Sequence, residues 1–287
     1  MSFIVYADGT SNLPGSLLGE IRLLPCSYTV NGEVQTYEGD IDHFNSHEYY
    51  ESLRAGKVVK TTLLNTYLFV SSFTPVLEEG TDIIYISMAS GISGTYQAAM
   101  AAAEELTETF PERTVRIIDS KGCSFGCGLL AVYGEKLRRE GLSCKEAADL
   151  LDERVPHMCQ YFTVDDLNFL KRTGRVSGVG ATIGTVLNIK PILYGTDQAV
   201  IEACDKVRGR KNAIDRIVKK YEEKVVNASE QLVAISHGDC PEDAQLLAEK
   251  ISAIAKPKEI LICPHEPFSG SHVGPGMLAL FFYGSER

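Results

Sequence analysis

Short apolar runs and helix-spaced stretches alternate along this chain, and that alternation limits its fold more than any other feature. Phe3–Ala7 is a strand-length apolar run. Asp82–Met88 is a second, followed by the alanine-rich Thr95–Thr109; Thr114–Asp119 is a third, followed by a helical stretch near Cys127–Arg139. Ser143-Cys144-Lys145-Glu146 reads as a capping box opening a helix to about Arg154. Strand–helix–strand–helix order predicts an α/β fold, its first part a mainly parallel sheet with helices on both faces. In such sheets ligands sit beyond the C-terminal ends of the strands, where loops enter helices. Leu23–Val30 and Glu33–Tyr37 flank Asn31-Gly32, a hairpin signal. Phe44–Arg54 and Asn65–Glu79 read as helices, the latter interrupted by Pro75.

The second half is also mixed α/β. Phe162–Val164 reads as a strand, Asp165–Arg172 as a helix, Ile189–Tyr194 and Ala199–Cys204 as paired strands, and Asn212–Val226 as a helix. Gln231–Ser236 and Glu259–Cys263 read as strands around the helix Pro241–Ile254, and Pro275–Tyr283 as a closing apolar helix. These patterns predict two α/β domains, 1–160 and 161–287, with neither internal repeat nor flexible linker.

The 28 basic and 38 acidic side chains give a net charge of −10, which disfavours nucleic acid and anionic membrane surfaces as partners. No apolar run approaches the ~20 residues that cross a bilayer, so integral insertion is not expected, although transient membrane contact is compatible with the sequence. The N-terminus meets Asp8 without a basic region, reads as a strand rather than a signal peptide, and gives a cytoplasmic expectation. The 8 cysteines are scattered without Cys-x-x-Cys pairs, and read as small buried residues rather than disulfides or zinc ligands. His43 and His47, four apart, read as exposed helix histidines, and no metal is expected.

Several segments carry candidate chemistry. Gly178-Val179-Gly180 lacks the preceding strand and the spacing of a dinucleotide fingerprint. Gly122-Cys123-Ser124-Phe125-Gly126 matches Gly-x-Ser-x-Gly between a strand and a helix, with His237 and His272 downstream, and supports a serine esterase using Ser124 as an alternative function. The strongest signal is Ser90-Gly91-Ile92-Ser93-Gly94-Thr95-Tyr96-Gln97, which follows a buried strand and opens a helix. Free N–H groups there, with the hydroxyls of Ser93 and Thr95, suit an anion. Lys60-Thr61-Thr62 adds two hydroxyls, and Ser269-Gly270-Ser271-His272-Val273-Gly274-Pro275-Gly276 reads as a polar loop from which His272 could donate a charged hydrogen bond.

Taken in order, these segments resemble the DegV family, the fatty-acid-binding subunits of bacterial fatty acid kinase. The resemblance spans essentially the whole chain. It rests on Asp8-Gly9-Thr10-Ser11-Asn12-Leu13, Lys60-Thr61-Thr62, Ser90 to Gln97, Asp119-Ser120 and Leu167 to Arg175, with Lys190-Pro191-Ile192-Leu193, Val207 to Lys211 and His272 to Gly276. The family usually has serine where Gly9 stands. The resemblance implies a two-domain fold with a long-chain fatty acid in an internal tunnel between the domains. Its carboxylate would be held at Thr61 or Thr62, Ser93 with Gly94, and His272. A separate ATP-dependent kinase catalytic subunit would phosphorylate that carboxylate, giving acyl phosphate for phospholipid metabolism. The chain would then be a carrier without catalytic residues or cofactor; a lipid-sensing module without a kinase partner is a further alternative.

The physics is compatible with this implication. At ~0.8 kcal/mol per methylene, about 14 methylenes supply a gross ~11 kcal/mol, while a buried carboxylate needs close pairing to offset its desolvation. Leu63–Phe69, Ile183–Ile189 and Met277–Phe282 are candidate tunnel walls. Arg172, Arg175, Arg208 and Arg210 stand out in an acidic chain as candidate kinase-docking residues.

Overall fold

The computed structural model describes residues 2–176 and 188–287. Gly178-Val179-Gly180 and positions 183–187 of the expected wall segment lie outside the described residues. In chain order the elements are β1 Phe3–Asp8, α1 Gly15–Leu18, β2 Arg22–Leu24, β3 Cys26–Val30, β4 Glu33–Tyr37, α2 Ser46–Arg54, β5 Val59–Thr62, α3 Thr66–Glu78, β6 Asp82–Ser87, α4 Thr95–Thr109, β7 Val115–Asp119, α5 Phe125–Arg139 and α6 Cys144–Arg154. There follow β8 Met158–Thr163, α7 Asn168–Thr173, β9 Ile189–Gly195, β10 Ile201–Arg208, α8 Arg210–Lys224, β11 Leu232–His237, α9 Pro241–Ile254, β12 Glu259–Pro264, α10 Pro267–Val273 and β13 Leu278–Tyr283.

Contacts divide the chain into a unit of Met1–His43 with Lys60–Val155 and a unit of Phe44–Val59 with Pro156–Arg287. A single cut near residue 160 misses the insertion. Phe44–Val59 joins the second unit because α2 is hooked there: Tyr49 Oη donates to the carbonyl of Pro267 (2.6 Å) and Tyr50 Oη to that of His265 (2.9 Å).

The first unit is built on a parallel sheet in the order β2-β1-β6-β7. Alternate residues of a strand point to opposite faces. Tyr6 of β1 meets Phe73 of α3, with ring centroids 4.9 Å apart, whereas Val5 lies against Gly134 of α5. Helices therefore cover both faces, as the alternation predicts. The capping box is present, Ser143 capping Glu146 N–H and Glu146 returning to Ser143. A small sheet, β4-β3-β5, carries the expected hairpin. Asn31 (φ 51°) and Gly32 (φ 94°) hold the left-handed backbone its turn requires.

The second unit is a mixed sheet in the order β10-β9-β8-β13-β11-β12. Leu278, Leu280 and Phe282 point from β13 into a core with Ile214, Ile217 and Tyr221 of α8 and Leu247 and Ile251 of α9. Ala279 and Phe281, on the opposite face, are buried as well. The expected closing helix over Pro275–Tyr283 is thus a strand. An apolar run buried on both faces shows no period to separate helix from strand, and pairing with both β8 and β11 decides it. Ser269–His272, expected as a loop, is helical. Pro267 occupies the first turn of α10, and Glu266 caps the N–H groups of Phe268 and Ser269.

Candidate functional site

In the first unit β1 and β6 are neighbours, with β2 beyond one and β7 beyond the other. Their C-terminal ends mark the point where the winding reverses, the usual ligand position in such sheets. The loop leaving β6 is fastened there by acids. Asp8 accepts from Met88 N–H (3.0 Å) and from the hydroxyl of Tyr85. Burial raises the Asp8 carboxyl to about 6 despite both bonds. Asp119, at the end of β7, accepts from Ser90 N–H (3.1 Å) and Ser90 Oγ (2.6 Å).

That anchored loop delivers Ser93 and Gly94 to the start of α4. Ser93 Oγ donates to Thr95 Oγ1 (3.0 Å) and accepts from Thr95 N–H (3.2 Å). Thr95 Oγ1 also accepts from Leu64 N–H (3.4 Å), which draws the β5–α3 turn against the helix start. A Cβ on Gly94 would stand 3.2 Å from Leu63 Cδ2, so glycine permits this approach. Thr61 is half-buried and shares a strand face with buried Val59, whereas Thr62 is exposed on the other face. The first unit thus places Ser93 and Gly94 beside the N–H groups of a helix N-terminus, with Leu64 of the turn after β5 bonded to Thr95.

His272 lies in the second unit, in the last turn of α10. Burial, with Arg175 and Arg172 adding to it, lowers its imidazole to about 4. At neutral pH the ring is uncharged and can donate only as a neutral N–H, not through the expected charged bond. Arg172 stacks on Phe169, 4.2 Å from the ring centroid, and Arg175 donates to the carbonyl of Thr173. Arg172, Arg175 and Arg208 are exposed. Arg210 differs: it is half-buried, with Nε 2.8 Å from Asp243 and a longer pair at 3.7 Å to Asp165.

Ser124 does adopt an elbow backbone, with φ 54° and ψ −132°. It is fully buried, and the only histidine of its unit, His43, is exposed and paired with Asp40. The strained turn starts α5 where Gly128 passes so close to Ser11 that a Cβ would strike the Ser11 carbonyl. The elbow thus accompanies a close packing contact of α5. Gly9 has a similar origin, since a Cβ there would sit 3.1 Å from the Leu24 carbonyl oxygen. His47, Glu51 and Asp239 offer ligand atoms within 4.8 Å of one another, but Arg54 pairs with both carboxylates and already supplies the positive charge.

The sequence pattern gave no warning of the chain Ser236–His265–Ser269–Glu266 that underlies α10. All four side chains are buried. Ser236 Oγ and Ser269 Oγ each stand 2.8 Å from a His265 ring nitrogen, and Ser269 donates to Glu266.

Comparison with known proteins shows the family and the fold. The model of the DegV family, described as an uncharacterised protein family, matches residues 2–285. A DegV domain-containing protein of Clostridium perfringens is 35% identical over 286 residues, covering 99% of this chain and 98% of its own. The solved structure of a DegV family protein from Thermus thermophilus, described for its fatty acid binding, is 26% identical with a TM-score of 0.87, covering 99% of this chain and 100% of its own. Bacillus subtilis DegV, described as a fatty acid binding protein, is 28% identical with a TM-score of 0.83, covering 98% of each chain. The α/β architecture with its parallel sheet is the DegV fold. This chain belongs to the DegV family. Among the described residues no helix is long and apolar enough to cross a membrane.

Proposed function

We propose that this protein binds a long-chain fatty acid, tail inward, and presents its carboxylate to a separate ATP-dependent kinase in the cytoplasm. The observation that carries the reading is the start of α4 in the first unit, where the linked Ser93 and Thr95 hydroxyls meet the turn that follows β5, in a family whose Bacillus subtilis member is described as a fatty acid binding protein. On this reading Thr61, rather than the outward Thr62, joins Ser93, Gly94 and His272 as carboxylate ligands. The neutral imidazole still carries one ring N–H that can donate to the carboxylate. The acyl chain provides most of the affinity, and the polar groups fix which end faces out. The protein is then a carrier rather than a catalyst. Arg172, Arg175 and Arg208 offer the kinase exposed basic side chains, while Arg210 holds the fold.

Organic extraction of purified protein followed by mass spectrometry should yield one fatty acid per chain. Ser93→Ala and His272→Ala should each lower that loading several-fold, and full loading in both variants rejects the head-group assignment. With a reconstituted kinase, Arg175→Ala with Arg208→Ala should slow acyl-phosphate formation without changing loading. Unchanged transfer removes the docking role.

A further inference from the structure

The buried polar chain beneath α10 has a direction. The Ser269 hydroxyl has one hydrogen, and it goes to Glu266. Its contact with His265 Nε2 must then be an N–H donated by the ring, which leaves Nδ1 to accept from Ser236. The result is a relay of donors, Ser236 to His265 to Ser269 to Glu266, running from β11 to the cap of α10. Burial holds His265 at about 3, so the ring stays neutral and this tautomer is the one the network needs. The helix is also gripped from α2, because Tyr50 bonds the His265 carbonyl and Tyr49 that of Pro267. A Cβ on Gly270 would collide with the Tyr50 hydroxyl, so helix and tyrosine meet without slack. Only seven residues long, α10 cannot set its own orientation. His272 stands one turn beyond Ser269.

We infer that Ser269, His265 and Glu266 are positioning residues that fix the His272 ring for the ligand carboxylate. The inference rests on the proposed fatty acid site and adds the residues that orient one of its ligands. Ser269→Ala breaks the relay at its middle and leaves the backbone cap by Glu266 intact. Burial, with Arg175 and Arg172, lowers the His272 ring to about 4; in Ser269→Ala, ring NMR should show its midpoint moving toward 6.5. The delipidated variant should bind a long-chain fatty acid roughly tenfold more weakly, the scale of one lost buried hydrogen bond. Ser269→Thr, which keeps the hydroxyl, should restore both. An unchanged His272 midpoint or unchanged binding in Ser269→Ala, whatever happens to thermal stability, overturns the inference. Wild-type protein that binds no fatty acid would overturn the proposed function instead, and the midpoint alone would then decide the positioning role.

Discussion

Three buried ionisable residues give the two units opposite responses to acid. His265 and His272 are held at about 3 and about 4, below the ordinary 6.5, so the unfolded chain binds more protons than the fold does between those values. Stability of the second unit is therefore present above pH 6.5 and lost as pH falls. At about 1.4 kcal/mol per pH unit, the drop from 6.5 to 5 costs about 2 kcal/mol for each histidine. Asp8 has the reverse sign. Its carboxyl sits at about 6 against an ordinary 3.8, so the folded first unit binds the extra proton and gains about 1 kcal/mol over the same drop. Hydrogen exchange at pH 7 and pH 5 should show amides of β11 and β13 losing protection while those of β1 and β6 keep or gain it. Parallel loss in both units would refute these assignments. These shifts were not legible in the sequence: His265 and Glu266 carry no motif, and the motifs that hold Asp8 and His272 do not show that either side chain is buried.

Elements were legible where period and punctuation agree. Thr95–Thr109 and Pro241–Ile254 match the helices residue for residue, because a glycine turn or a first-turn proline marks the start and spacing marks the face. Pro275–Tyr283 was misread because burial on both faces erases periodicity, and α10 because glycine and serine disguise a helix set by Glu266 and Pro267. The strand–helix turn around Ser124 was legible as a motif but not as a function, since only packing shows why the backbone is strained. Gly128 is the residue that strain serves. Gly128→Ala should destabilise the protein by roughly 2 kcal/mol through the forced shift of α5 from Ser11 and Leu13, read from denaturant midpoints. A neutral effect would mean that α5 tolerates the methyl group and that the tight approach does not explain the elbow.

At the scale of the molecule, the two-unit α/β plan was legible in the order of elements, but not the membership of Phe44–Val59, which depends on two tyrosine hydroxyls reaching α10. Within the second unit α2 grips the helix bearing His272 through Tyr49. The proposed function divides the work: the tail supplies affinity, while hydroxyls and a neutral imidazole recognise the carboxylate. It is tested most directly by titrating delipidated protein with a long-chain fatty acid and with the methyl ester of the same chain. The expected result is one acid bound per chain, a clear preference for acid over ester, and loss of that preference in Ser93→Ala/His272→Ala with ester binding retained. Absence of stoichiometric binding, or an acid preference that survives the double substitution, would contradict it.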